Sequence, residues 1–266
     1  MTHTADNFGE CLRDWRGKRG LSQLELALAA NVSQRHVSFL ESGRAGPSRS
    51  MVISLSEAMS VPLSQRNQLL NVAGFAPHYP ETPLEDGKLG GVRSVLKLML
   101  ERHMPYPAVL IDRYWNMIDA NASCQKIFGI DHSQGPMNIL QLMASQPQIT
   151  EMFENWPEVA HHFLVRLQTE YTASGRDPKL AKLIDELRSS PVFQHPAPEG
   201  GVTEPFIPAR IRRGGKVLSL VSAIAQFGTP TDVTVSDLRI EFSLPADDET
   251  DKAIHEIIEA TTVAVV

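Results

Sequence analysis

Four side chains of one short segment combine an amide, a guanidinium, a hydroxyl and an aromatic ring. After Ser33, a candidate N-cap, the residues QRHVSFLES predict a short helix that ends at Gly43. The face of this helix that packing leaves outward carries Gln34, Arg35, Ser38 and Phe39. The polar groups can hydrogen-bond the edges of DNA bases, and Phe39 can touch a thymine methyl. The alternative is that Gln34 and Arg35 are only solvated and that Phe39 packs inward.

Two earlier helices must hold this segment in place. The residues FGECLRDWRGK (8–18) predict an amphipathic helix whose apolar face is formed by Phe8, Cys11, Leu12 and Trp15. The sequence SQLE at residues 22–25 has the form of a capping box that opens a second helix. Small alanines allow the second and third helices to cross closely. We expect their apolar contacts to come from Leu24, Leu28, Val32, Val37 and Leu40.

The charge of the chain is distributed unevenly. Residues 1–76 contain 8 Lys and Arg against 6 Asp and Glu, whereas the remainder contains 17 against 25. Cations replace counterions along DNA phosphates, so DNA binding is expected in the N-terminal part and not in the acidic part. This bias is mild, and the helical motif carries the argument.

The motif resembles a known family. The residues SQLELA (22–27) and NVSQRHVSFLESG (31–43) are similar to the XRE family of phage-repressor-type helix-turn-helix proteins, and the resemblance covers residues 8–77. It implies an all-α domain of five helices in a bacterial transcription regulator, with the helix after Ser33 in the major groove. Base contacts would come from the four side chains named above. Phosphate contacts would come from Gln23, His36, Arg44 and Arg49.

The chain is expected to be α+β, with a helix-turn-helix domain at residues 1–77, a linker at 78–91 and a second domain at 92–266. The linker is rich in Pro, Gly and acidic residues. The second domain begins with a predicted helix and a hairpin around Asp112, continues with mainly helical stretches from Met137 to Leu187, and ends with β-rich segments from Phe206 to Leu244. The string DANASCQKIFG (119–129) and this order of elements are similar to PAS domains, which have an antiparallel sheet.

An XRE domain followed by this arrangement resembles the MmyB-like regulators. The resemblance implies a C-terminal domain that binds a small effector such as a fatty acid or another acyl compound. We expect the ligand pocket to be formed by Trp115, Met117, Phe128, Met143, Phe153, Trp156, Phe163, Arg166 and Tyr171. Methionines adapt to irregular cavities, and an arginine can hold a carboxylate. The alternative is that the apolar members of this set are ordinary core residues.

Other functions lack a sequence signal. We find no phosphate-binding glycine loop, HExxH, GxSxG or CxxC, so neither an enzyme, a metal site nor a cofactor is expected, although PAS-like folds can hold haem or flavin. No secretory signal or membrane span is evident, which favours the cytoplasm. Homodimerisation is expected because helix-turn-helix domains bind paired half-sites of an operator. The second domain could instead serve only for dimerisation or partner binding, with constitutive DNA binding.

Overall fold

The computed structural model describes residues 7–130, 136–196 and 206–263 and divides them into two compact units. The first unit comprises the described residues of Met1–Thr82 together with Tyr171–Asp177 and Thr229–Ser236. The second comprises the described remainder. The expected α+β class is confirmed, because a helical N-terminal region precedes a curled antiparallel sheet.

The N-terminal region is formed by five helices around one apolar core. They are α1 (Phe8–Lys18), α2 (Gln23–Ala29), α3 (Gln34–Glu41), α4 (Arg49–Ala58) and α5 (Leu63–Val72). The capping box is confirmed: Ser22 Oγ accepts the Glu25 N–H at 3.1 Å, and the Glu25 carboxylate accepts the Ser22 N–H at 2.7 Å. Gly43 follows α3 at φ +70°, a left-handed conformation that ends the helix.

The apolar contacts between α2 and α3 differ from the expected set. Val37 and Leu40 of α3 are buried, but α2 packs through Leu26 and Ala27. Leu24 is 50% exposed and Leu28 is 72% exposed, so the assignment of these two leucines to the packed face was wrong. The capping box fixes where α2 begins, but it does not fix how the helix is rotated about its axis, and the smaller Ala27 occupies the crossing.

Helices and short strands follow residue 82. The helices are α6 (Gly90–Arg102), α7 (Ala122–Phe128), α8 (Ile139–Ser145), α9 (Pro147–Thr150), α10 (Trp156–Ala173), α11 (Pro178–Ser189), α12 (Val233–Asp237) and α13 (Asp248–Val263). The strands are β1 (Ala108–Ile111), β2 (Asn116–Ala120), β3 (Met137–Asn138), β4 (Ala209–Arg213), β5 (Lys216–Ala225) and β6 (Arg239–Pro245). Met137 and Asn138 were expected to be helical, but they pair with Met117 and Asn116.

All neighbouring strands of the sheet are antiparallel, in the order β3-β2-β1-β6-β5-β4. Side chains alternate between the two faces along each strand. One face carries Leu110 and Ile240, which pack with Leu96 and Leu100 of α6 in an apolar cluster. The opposite face of β6 carries Arg239, Glu241 and Ser243. The sheet therefore has one face that packs against α6 and an opposite face that carries the polar side chains of β6.

Candidate DNA-binding surface and ligand cavity

Helix α3 presents one face to the core and the other to solvent. The Ser33 hydroxyl accepts the His36 N–H at 3.2 Å and so defines the start of the helix. Val37 is fully buried, whereas Gln34 and Arg35 are exposed. We call the outward side chains Gln34, Arg35, Ser38 and Phe39 the recognition surface. Gln34 and Arg35 are thus available to an external partner, whereas Ser38 and Phe39 are half-buried.

Phe39 is half-buried, and two guanidinium groups lie near its ring. The Cζ atoms of Arg35 and Arg44 lie 5.1 Å and 5.9 Å from the centre of its ring. An aromatic face attracts such cations electrostatically. Phe39 therefore orders one residue assigned to base contact and one assigned to phosphate contact, an arrangement that the sequence reasoning missed.

The four residues assigned to phosphate contact have different surroundings. Arg44 and Arg49 are exposed, and the Arg49 Nη2 donates to the Pro77 carbonyl at 3.3 Å. His36 is half-buried. The Gln23 amide nitrogen donates inward to the Glu41 carboxylate at 2.8 Å. That nitrogen already has an acceptor within the protein, so the Gln23 amide is less available to donate to a phosphate than the two arginines are.

Glu41 forms a buried cluster with side chains from α1 and α2. Its side chain is 1% exposed, and Arg16 donates to its two carboxylate oxygens at 2.6 Å and 2.9 Å. Arg13 donates to the Glu41 backbone carbonyl at 3.1 Å. Burial alone would raise the pKa of Glu41, but hydrogen bonds from Arg16 and Gln23 and the charges of Arg16 and Arg13 lower it below its ordinary value. This Glu41 cluster joins α1 and α2 to the end of α3.

The second unit contains a small cavity beside the sheet, with a volume of about 90 Å³. Six of the residues that the sequence assigned to a pocket lie on its wall: Trp115, Met117, Phe128, Met143, Phe153 and Phe163. The wall also includes Val109, Cys124, Ile130, Ile139, Val159, Ala209, Leu220, Ser222, Glu241 and Ser243, which the sequence reasoning did not assign to it. The polar side chains of the wall come mainly from the strands. Alternation along a strand predicts which residues share a face of the sheet, but it does not predict that a cavity lies over that face.

Trp115 is held in an uncommon backbone conformation at the edge of this cavity. Its φ is +69°, it is 1% exposed, and Asp112 accepts hydrogen bonds from the N–H groups on both sides of it, at Tyr114 and Asn116. A bulky residue in the left-handed region carries a conformational cost, and such residues are concentrated at binding sites. The hairpin turn thus directs an indole into the wall.

Arg166 connects the wall to a group of charged residues. Its Nη1 lies 3.2 Å from both Glu241 carboxylate oxygens, its Nε donates to Glu170 at 3.1 Å, and its Cζ lies 4.2 Å from the centre of the Trp115 ring. Arg239 also donates to Glu170, at 2.5 Å. We call Arg166, Glu170, Arg239 and Glu241 the Glu241 cluster. Within the described residues, the buried Nη2 of Arg166 has no hydrogen-bond partner.

Comparison with protein families decides what these two sites belong to. The family model described as the MmyB-like transcription regulator ligand binding domain matches residues 92–257, which is more than half of the chain. The chain belongs to this family. A helix-turn-helix model also matches residues 12–65, which include α2 and α3. The chain therefore combines a helix-turn-helix region with the ligand-binding domain of MmyB-like transcription regulators.

Comparisons with individual proteins add little. The comparison with curated proteins found no match. Among solved structures, an RNA-binding light-oxygen-voltage receptor matches with 8% sequence identity and a TM-score of 0.29, over 96% of this chain and 62% of that chain. The MmyB-like chain thus spans less than two thirds of that protein, and a likeness this low supports no conclusion about either site.

Three residues assigned to the pocket lie outside the wall of the cavity in this MmyB-like protein: Trp156, Arg166 and Tyr171. The Trp156 Nε1 donates to the Val192 carbonyl at 2.7 Å, and its ring packs against Phe153 and Phe193. Trp156 is thus a core residue behind the wall. Tyr171 belongs to the first unit, whereas the cavity lies in the second. Helical spacing in the sequence suggested a pocket position for Trp156 and Tyr171, but it did not indicate where either side chain packs.

Two titrating groups of the second unit, Cys124 and His162, have shifted pKa values. Burial, together with the negative charge of Glu241, raises the pKa of Cys124 to about 12. Partial burial and the charge of Arg166 lower the pKa of His162, against an opposing effect of Glu241. The Cys124 thiol is therefore protonated at pH 7 and supplies no anion to the cavity. No group of three or more His, Cys, Asp or Glu is placed to hold a metal ion in the described ranges.

Within residues 7–130, 136–196 and 206–263, no helix is both long enough and apolar enough to span a bilayer.

Proposed function

We propose that this regulator recognises a specific operator as a homodimer through the recognition surface, and that a small, mainly apolar effector binds in the cavity. The observation that carries the first part is the exposed amide and guanidinium of Gln34 and Arg35 on a capped helix, beside the exposed Arg44. Amide and guanidinium groups discriminate base edges, whereas a neighbouring arginine adds affinity for phosphates without choosing a sequence.

The DNA part is tested with the full chain and an operator selected from random duplexes. Arg35→Ala should weaken the free energy of binding to the selected operator by about 1–3 kcal/mol, because a base contact is lost, and should weaken binding to random DNA less. Arg44→Ala should weaken binding to both DNAs alike. It should also reduce the magnitude of the slope of log affinity against log salt concentration by about one. Lys97→Ala, which removes an exposed charge from α6, is the matched control and should change neither. Equal losses on both DNAs for Arg35→Ala would remove it from the base contacts.

The effector part rests on the composition of the cavity wall. Most of the wall residues are apolar or aromatic, with few polar groups, as is typical of small-molecule sites. Native mass spectrometry of the purified chain should detect a bound small molecule. Ala209→Leu, which places bulk on the wall, should remove that molecule and the thermal stabilisation it gives. Retention of the same molecule by Ala209→Leu would locate its site elsewhere.

A second candidate function is constitutive DNA binding with a C-terminal domain that serves dimerisation alone. The size of the cavity favours it, since about 90 Å³ is small against the roughly 300–1,000 Å³ of typical ligand pockets. In either case we propose a cytoplasmic, non-enzymatic protein. Footprinting with and without extracted metabolites separates the two candidates, because an effector must favour one DNA-binding state over another to change occupancy.

A further inference from the structure

The polar part of the cavity wall lies on two adjacent strands. Glu241 and Ser243 are two residues apart on β6 and therefore share a face, and Ser222 of β5 is paired with Ser243. All three side chains belong to the wall. A molecule in the cavity thus meets one carboxylate and two hydroxyl groups beside an apolar surface. Hydroxyl groups both donate and accept hydrogen bonds, whereas an ionised carboxylate only accepts them.

The cation nearest to this carboxylate is already engaged. Arg166 is not part of the wall; its Nη1 is held by Glu241 and its Nε by Glu170, and it stacks on Trp115. The Glu241 cluster contains two arginines and two glutamates, so its formal charges balance. A ligand carboxylate would therefore add an unbalanced negative charge next to Glu241, at a place where charge is poorly solvated. A ligand ammonium group would add an unbalanced positive charge next to Arg166.

We propose that the effector of this cavity has an uncharged head group with a hydrogen-bond donor, such as a hydroxyl or a primary carboxamide, which donates to Glu241. The apolar body of the effector lies against the aromatic and methionine side chains of the wall. The head also has an acceptor oxygen, which the hydroxyls of Ser222 and Ser243 can satisfy. Discrimination against a free carboxylate follows, because that group has no proton to donate to Glu241 and repels it. This inference rests on the proposed effector function of the cavity.

The test compares three probes of equal chain length on the full protein at pH 7.5: 1-hexanol, hexanamide and hexanoate. Six-carbon chains suit the small volume of the cavity. Isothermal titration should give a dissociation constant for hexanol and hexanamide that is lower than that of hexanoate by about tenfold or more. Because this comparison uses the unchanged chain, it decides the proposal even if a variant fails to fold.

Glu241→Gln then tests which group discriminates. The substitution removes the charge and introduces an amide donor of similar shape. It should therefore reduce the ratio of the dissociation constant of hexanoate to that of hexanol at least severalfold. Glu101→Gln makes the same chemical change on an exposed position of α6 and should leave all three affinities unchanged. Circular dichroism confirms that each variant is folded before titration.

Each outcome bears on one proposal or on both. If hexanoate binds as tightly as hexanol, or if folded Glu241→Gln keeps the full preference, the head-group assignment is overturned while the effector site stands. Tight binding of hexanoate would instead favour Arg166, whose Nη2 has no partner among the described residues, as the group that meets the carboxylate. If none of the three probes binds, the cavity is not an effector site for small apolar molecules, and both proposals fail.

Discussion

The two units contain buried glutamates with different surroundings. Glu41 is 1% exposed, and both of its carboxylate oxygens accept hydrogen bonds from Arg16, with a further one from Gln23. The side chain of Glu241 is 12% exposed, accepts hydrogen bonds from Arg166, and lies on the wall of a cavity. The first carboxylate has all its partners within the protein, and the second retains a side open to a ligand.

This difference separates a structural role from a binding role. The Glu41 cluster ties α3 to α1 and α2, so it sets the position of the recognition surface without touching DNA. The Glu241 cluster links β6 to α10 and leaves part of its hydrogen-bonding capacity unused. A fully satisfied polar cluster stabilises one arrangement, whereas an incompletely satisfied one has a residual affinity for a further group.

The largest expected effect comes from removing one arginine from each cluster. Arg16→Met leaves Glu41 buried and without its main partner, and should lower the free energy of unfolding of the first unit by about 3–5 kcal/mol. Arg166→Met should cost the second unit less, because the Glu241 side chain is 12% exposed and that of Glu41 only 1%. Hydrogen exchange of amides in each unit measures both losses, with Lys97→Met as the exposed control. Equal losses would show that the two clusters do not differ in the way described.

Acid should weaken the first unit through Glu41. The pKa of this carboxyl in the folded chain is lower than its ordinary value of 4.5, so its contribution to stability is complete above that value and is lost as the pH falls through the folded pKa. We expect the midpoint of urea unfolding of the first unit to decrease as the pH falls below about 4.5, on this linkage. In Glu41→Gln, this part of the decrease should be missing. A decrease of unchanged size in the variant would assign the acid sensitivity to other carboxylates.

Phe39 sharpens the distinction between indirect and direct contributions to DNA binding. Phe39→Leu keeps an apolar side chain that can touch a thymine methyl but removes the aromatic face shared by Arg35 and Arg44. We expect operator affinity to fall by about 0.5–1 kcal/mol for each arginine that loses its order. Fluorescence anisotropy with the selected operator measures the change. An affinity equal to that of the unchanged protein would mean that only the apolar contact matters.

The smallest expected effect concerns the thiol on the cavity wall. Burial and the charge of Glu241 raise the pKa of Cys124 to about 12, so almost none of it is thiolate at pH 8. Iodoacetamide should leave Cys124 unmodified in the native protein and alkylate it in urea, as peptide mass spectrometry would show. Rapid alkylation of the native protein would mean that Glu241 and the wall are more accessible to solvent than described.

The sequence predicts the two sites to different extents because their determinants differ in range. Caps at Ser22 and Ser33 act within three residues, so the start of α2 and of α3 could be read directly from the residue types. Aromatic and methionine residues of the wall could be chosen by their apolar character. Glu241 could not be found in this way, because its place beside Val109 and above the cavity depends on strand pairing between segments more than a hundred residues apart.

The position of β6 within the sheet limits how the cavity can change. This strand is hydrogen-bonded to β1 on one side and to β5 on the other, so the backbone beneath Glu241 and Ser243 has little freedom to shift. Adaptation to a larger or smaller guest must therefore come from the helical part of the enclosure, at side chains such as Met143 and Phe163. In evolution, this arrangement would allow related proteins to accept ligands of a different length through changes in the helices, while the strand residues keep the same preference for the head group.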